Sequence, residues 1–248
     1  MARKAKAKTE KSKPIIALEQ KLPEVPGRDP YALPTQHLVK DNKGGYLVEK
    51  FRRPSKTLLV DQIREEVDQW RNRDYQMPAG ISPTSKRLLE WWFDESHRFE
   101  NGEAFQYYFA QREAIETIIY LYEVKGYRDV ADMILKYMDP KAYKEDLFTR
   151  KTNIEQTIRN KRILTRVVPE TGLVAQQELP QSDHCRFALK MATGSGKTLV
   201  MAMAVVWSFF HKKMEKGSSL SRTFLVIAPN IIVFERLRED FENGKIFN

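Results

Sequence analysis

Eight consecutive residues carry the clearest chemistry in this chain: Met191, Ala192, Thr193, Gly194, Ser195, Gly196, Lys197 and Thr198. Glycines at 194 and 196 let the main chain curl until its N–H groups converge on one point, a concavity suited to phosphate oxygens. Lys197 places an ammonium where β- and γ-phosphates would lie, and the Thr198 hydroxyl is a ligand that Mg²⁺ accepts. The general pattern G-x-x-x-x-G-K-[ST] asks for glycine at 191, where this chain has methionine. The core Gly194-Ser-Gly-Lys-Thr198 is intact, so the segment is expected to bind a nucleoside triphosphate such as ATP, with Mg²⁺.

A phosphate loop needs a strand leading in and a helix leading out, because the positive end of the helix completes the anion site. Both are predicted. Residues 186–190 form a strand candidate, and an apolar helix runs from Lys197 to about Lys213. Eleven of the twelve residues 199–210 are hydrophobic, which predicts cover on both helix faces. A polar linker follows at 212–221. The run Phe-Leu-Val-Ile-Ala at 224–228 has the continuous apolar character of a buried parallel strand. Pro229-Asn230 then opens an amphipathic helix with Val233, Phe234, Leu237 and Phe241 inward. Strand, loop, helix, strand, helix predicts an α/β fold and the start of a parallel sheet.

Upstream, the region 46–183 reads as mostly helical. A short strand is expected at 46–51. Leu59, Ile63, Val67 and Trp70 make one stripe of a helix over 57–74. Ser82-Pro83 fits an N-cap followed by proline at the first helical position, leading into a helix that reaches Phe93. A longer helix is predicted over 103–125, with Phe105, Tyr108, Phe109, Ile115, Ile118, Ile119 and Tyr122 inward and Gly126 at its end. Another covers 128–138, stopped at Asp139-Pro140. Residues 163–168 and 173–177 flank Pro169-Glu-Thr-Gly172 as a small β-hairpin. Residues 1–45 read as a basic tail and irregular lead-in, and residues 184–248 as the nucleotide-binding part.

Composition bounds the function. The net charge is +9, of which the first thirteen residues supply +5; that arm either remains solvated or touches phosphates by electrostatics. Cys185 is the single cysteine, which excludes an internal disulfide and a cysteine-based zinc site and suits a reducing cytoplasm. The longest apolar run falls short of the roughly 20 residues that cross a bilayer, and the tail lacks an apolar leader segment. A soluble cytoplasmic protein without a membrane partner is expected. Trp70, Trp91 and Trp92 could stack on bases, but aromatics at helical spacing are expected in the core.

With its methionine at 191, Met-Ala-Thr-Gly-Ser-Gly-Lys-Thr198 resembles motif I of superfamily 2 helicases and translocases. Phe109-Ala-Gln-Arg-Glu-Ala114 is similar to their Q-motif region, which implies that Gln111 contacts adenine. Ile227-Ala-Pro-Asn-Ile-Ile-Val-Phe-Glu-Arg236 looks like motif Ia, which implies that Pro229, Asn230 and, less directly, Arg236 meet a nucleic-acid backbone. Residues 82–248 together resemble the ATPase–helicase (Res) subunit of type III restriction endonucleases. The resemblance implies a RecA-like P-loop NTPase domain, DNA-dependent ATP hydrolysis, double-stranded DNA as partner, and a companion methyltransferase/specificity (Mod) subunit.

Asp94-Glu-Ser-His97 spells D-E-x-H, the pattern of motif II, but it precedes Lys197 and follows a helix rather than a strand. It is expected to be a solvated helix end. The acids after Thr198 are Glu215, Glu235, Glu239, Asp240 and Glu242, and none ends an apolar strand as a metal-holding carboxylate does. The chain is therefore expected to be part of a longer enzyme and to hydrolyse ATP poorly alone. A non-catalytic nucleotide- or DNA-binding module is the competing expectation; a small-molecule kinase fits Met191 and the Ala-Pro-Asn segment less well.

Overall fold

The computed structural model describes residues 29–76, 80–137, 156–159, 163–167, 171–179, 185–242 and 246. The basic arm, Asp139-Pro140 and Pro169-Glu170 lie outside them. The described residues fall into two compact units, one of Thr35–Arg52 and one of Asp29–Pro34 with the residues from Arg53 on.

The first unit is an antiparallel hairpin of β1 (His37–Lys40) and β2 (Tyr46–Glu49), with Lys40 opposite Tyr46. Asp41 builds its turn: the carboxylate accepts N–H bonds from Lys43 at 2.9 Å and Gly45 at 2.6 Å. β1 lies in the stretch where composition indicated no element.

The second unit is dominated by helices. In α1 (Leu58–Arg71) the expected stripe of Leu59, Ile63, Val67 and Trp70 is buried; each such side chain contributes about 1.5–3 kcal/mol by leaving water. α2 (Pro83–Phe93) starts as predicted, with the Ser82 hydroxyl accepting the Ser85 N–H. Its buried residues are Ser85, Leu89 and Trp92, whereas Trp91 is 43% exposed and stands edge-on against His97. The expectation that all three tryptophans are core therefore fails at Trp91, because successive helical residues point about 100° apart.

The predicted long helix over 103–125 is divided. Ala104–Phe105 forms β4, paired with β3 (His97–Arg98), and α3 begins only at Phe109 and runs to Ile119. Tyr108, expected inward, is partly exposed at its N-terminus. Tyr120–Val124 continues α3 as one π-helical turn, with Lys125 N–H donating to the Tyr120 carbonyl. Such single turns re-aim side chains and are frequent at functional positions. α4 (Val130–Tyr137) completes this group. The predicted hairpin is present as β6 (Ile163–Val167) and β7 (Val174–Glu178), with β5 (Gln156–Arg159) added on its other side. β5 was not foreseen.

α5 (Lys197–Met214) leaves the phosphate loop and packs on α2 and α3. It buries Val200, Ala202, Met203, Trp207, Ser208 and His211 but leaves Phe209 and Phe210 exposed, so one face is covered rather than two. α6 (Ile231–Phe241) starts at Asn230 and buries none of its residues. The parallel pairing expected of 186–190 and 224–228 is not present: neither run is paired with another strand, and every ladder among the described residues is antiparallel. A strand exists only through hydrogen bonds to a neighbour. Leu225 and Ile227 are accordingly 84% and 79% exposed.

Candidate nucleotide site

The loop has the curl that its glycines predict. Gly194 and Gly196 sit at φ +79° and +74°, a left-handed region in which residues bearing a Cβ are strained. Gly196 is also the N-cap of α5. The first helical bonds run from Leu199 N–H and Val200 N–H to the Gly196 carbonyl, so the amides of Lys197 and Thr198 precede the helical ladder. These are the groups that a helix start offers to an anion.

Three donors converge on the Ala192 carbonyl. The Lys197 ammonium donates to it at 2.6 Å, the Ser195 hydroxyl at 2.7 Å and the Ser195 N–H at 3.4 Å. This closes the loop across its mouth and fixes the exposed ammonium at the rim. An ammonium has three N–H groups, so two remain for phosphate oxygens. Thr198 is half-buried at the start of α5. Glycine curl, helix start, lysine and hydroxyl together fit a triphosphate with its Mg²⁺: the main-chain amides and Lys197 would hold the phosphates, and the Thr198 hydroxyl would ligate the ion. Among the described residues no cluster of three or more His, Cys, Asp or Glu side chains forms a metal cage.

Gln111 is brought to the loop. It is only 4% exposed; its Nε2 donates to the Ser195 carbonyl at 3.2 Å, and its Oε1 accepts the Tyr108 N–H at 2.9 Å. A Cβ built on Gly196 would fall inside the van der Waals shell of Gln111 Nε2, so this approach also requires glycine. An open cavity of about 290 Å³ beside the loop is lined by Phe187, Leu189, Met191, Lys197, Val200, Met201 and Ala204. Apart from Lys197 the lining is apolar, the character of a packing surface between 187–191 and α5.

The motif Ia residues lie elsewhere. The Asn230 carboxamide oxygen caps α6 by accepting the Val233 N–H at 3.0 Å, and Arg236 is exposed on that helix. No described hydrogen bond joins Pro229, Asn230 or Arg236 to the loop. Asp94, the first residue of the D-E-x-H segment, caps the end of α2, and Glu95 pairs with Arg87 on the surface.

Two polar clusters behind the loop were not foreseen. On α3, five residues after Gln111, the fully buried Glu116 accepts from Arg71 Nε at 2.7 Å, Arg112 Nε at 2.8 Å and Tyr75 Oη at 2.7 Å. Burial beside that carboxylate pushes the Tyr75 phenol well above its usual range, which keeps it a donor. The second cluster locks α5 to α2 and the π-turn. Glu123 accepts from the Ser82 N–H at 2.7 Å and the Trp207 indole N–H at 3.1 Å, and the Ser85 hydroxyl bonds to it as well. His211 lies 3.3 Å from the same carboxylate. At the end of α5, Glu215 accepts from the Thr84 hydroxyl and N–H, which hold its carboxyl below the usual range. A glutamate within an apolar helical stripe, with arginine four residues earlier, was the available signal for the Glu116 cluster.

Comparison with known proteins identifies one family. Residues 104–247 match the family described as Type III restriction enzyme, res subunit, a match that covers more than half of the chain and contains Gln111, the phosphate loop and α6. No curated protein and no solved structure matches the chain. The matched family lies within helicase superfamily 2, whose proteins are in general ATP-dependent, Mg²⁺-using hydrolases of the helicase type. The chain belongs to the family of type III restriction enzyme res subunits.

Proposed function

We propose that this chain is the ATP-binding amino-terminal part of a DNA-dependent translocase that serves restriction of foreign DNA. The observation that carries the reading is the loop itself: two left-handed glycines, a lysine at the rim and a hydroxyl at the helix start, within a segment that matches the res family. ATP would be gripped by the main-chain amides of residues 192–198 and by Lys197, with Thr198 ligating Mg²⁺. Contact of Gln111 with adenine, which the Q-motif resemblance implies, would require its amide to release Ser195. Pro229, Asn230 and Arg236, on an exposed segment, are proposed to meet the backbone of double-stranded DNA. A Mod-type methyltransferase is the proposed partner subunit.

The finer fold belongs to the same proposal. Residues 186–190 and 224–228 would be adjacent strands of a RecA-like parallel sheet. Their exposed apolar side chains support this, since such runs gain stability only when neighbouring strands and helices cover them. Hydrolysis also needs a carboxylate for the metal and an oriented water. Glu215 is bound to Thr84, Glu242 to Arg238, and Glu235, Glu239 and Asp240 lie on α6 rather than at the end of a strand, so this chain is expected to bind ATP without sustained turnover.

The test is calorimetry of Mg-ATP with the full chain and its Lys197→Ala variant. Micromolar binding by the parent, lost in the variant, supports the reading. Absence of binding by a folded parent overturns it.

A further inference from the structure

The amide of Gln111 is engaged at both ends, and neither end faces open space. Oε1 accepts from the Tyr108 N–H and Nε2 donates to the Ser195 carbonyl. In a planar trans peptide the C=O and the following N–H point in opposite directions. Holding the Ser195 oxygen toward Gln111 therefore aims the Gly196 N–H away from Gln111. The contact is possible only because residue 196 lacks a Cβ.

The helix that carries Gln111 is itself fixed. Glu116, on the same helix, is buried among Arg71, Arg112 and Tyr75 and ties α3 to α1 and to Tyr75. A rigid chain of contacts thus runs from that cluster through Gln111 to a single peptide of the phosphate loop.

We propose that Gln111 is a positioning residue for the phosphate grip: it orients the Ser195–Gly196 peptide so that the Gly196 N–H meets a phosphate oxygen, whatever base the nucleotide bears. This rests on the reading of residues 191–198 as a triphosphate site, and it stands in place of contact with adenine, because a bond to the base and the bond to Ser195 compete for the same amide.

Two variants separate loop positioning from helix capping. Gln111→Glu retains an acceptor for the Tyr108 N–H but as a carboxylate cannot donate to Ser195. Gln111→Met removes both bonds without adding charge. Each is made in the full chain, checked by circular dichroism and melting, and titrated with Mg-ATP, Mg-GTP and Mg-tripolyphosphate. Both variants are expected to lose affinity for all three ligands by a common factor of about five to ten, the scale of one oriented hydrogen bond. With glycine-selective ¹⁵N labelling, tripolyphosphate is expected to shift the Gly194 and Gly196 amides of the parent, and the Gly196 shift is expected to shrink in both variants.

Losses confined to ATP would show base reading and overturn the positioning role while leaving the triphosphate site intact. So would parental tripolyphosphate affinity in Gln111→Met, or an undiminished Gly196 shift. A variant whose melting and Gly194 shift are also lost would place Gln111 in folding instead and likewise overturn the proposal. If the folded parent bound none of the three ligands, the nucleotide site itself would fall.

Discussion

Trp207 donates its indole N–H to the Ser85 hydroxyl at 2.7 Å, across 122 residues of sequence, and so ties the phosphate-loop helix to the start of α2. The same indole N–H reaches Glu123 on the π-turn. Removing the Ser85 hydroxyl leaves the indole only its longer bond to Glu123 and takes one donor from that carboxylate, two lost bonds that together cost roughly 1–3 kcal/mol. Ser85→Ala is expected to lower stability to urea by about that amount and to shift the emission of Trp207. Unchanged stability would mean that water replaces the hydroxyl.

The four tryptophans make a second expectation simple to read. Trp70, Trp92 and Trp207 are buried, and Trp91 is exposed. Acrylamide is expected to quench Trp91 selectively, so Trp91→Phe should remove most of the quenchable emission with little change in melting. Equal quenching in parent and variant would contradict the orientation of α2.

Glu116 is a costly site to alter. Its carboxylate is fully buried and is bonded by two guanidinium groups and a phenol. Glu116→Ala leaves Arg112 without its buried counter-charge while Arg71 keeps Asp68 at 2.6 Å, so the loss is expected toward the lower end of the about 3–5 kcal/mol typical of a broken buried pair. Urea unfolding should show that loss. Glu116→Gln, which keeps the shape and one acceptor, should lose less.

Acid stability is expected to follow Glu66. Its carboxylate accepts from Tyr137 at 2.7 Å and Tyr120 at 3.1 Å and pairs with Lys125 at 3.0 Å. Burial alone would raise its pKa, but the bonds from Tyr137 and Lys125 outweigh it and hold the carboxyl below its ordinary 4.5. A depressed folded value means that the stabilisation is complete above the unfolded value and is lost as pH falls through the folded one. The urea midpoint of the parent should therefore fall as pH drops below about 4.5, and the difference between parent and Glu66→Gln should narrow over the same range. A difference that stays constant as pH falls well below 4.5 would exclude Glu66 as a source.

What could be read from the chain follows the range of the forces involved. The α1 stripe and the Ser82-Pro83 start of α2 were legible because both are set within a few residues, by period and by capping. The beginning of α3 was not. Residues 103–108 extend its apolar pattern, yet Ala104 and Phe105 pair with Arg98 and His97, and nothing local announces that pairing. β5 was hidden for a similar reason: Gln156–Arg159 has no alternation that marks a strand, and it is held by β6. Residues 224–228 have the composition of a strand without a partner among the described residues, so composition predicted a sheet that pairing does not supply. At the candidate site, the left-handed curl at Gly194 and Gly196 and the helix start at Lys197 were legible because local backbone geometry sets both. The bond from Gln111 to Ser195 spans 84 residues, and no local pattern encodes it.

α5 is a continuous rod from Lys197 to Met214. At 1.5 Å per residue its loop end and His211 are roughly 20 Å apart. The far end is bolted to α2 and the π-turn through Trp207, His211 and Glu215, while the near end forms the floor of the phosphate loop. A tilt imposed on α2 is therefore expected to reach Lys197 and Thr198 through this rod, against the hold that α3 keeps on it. Residues 185–214 grafted onto a foreign scaffold would keep their motif but lose its anchorage.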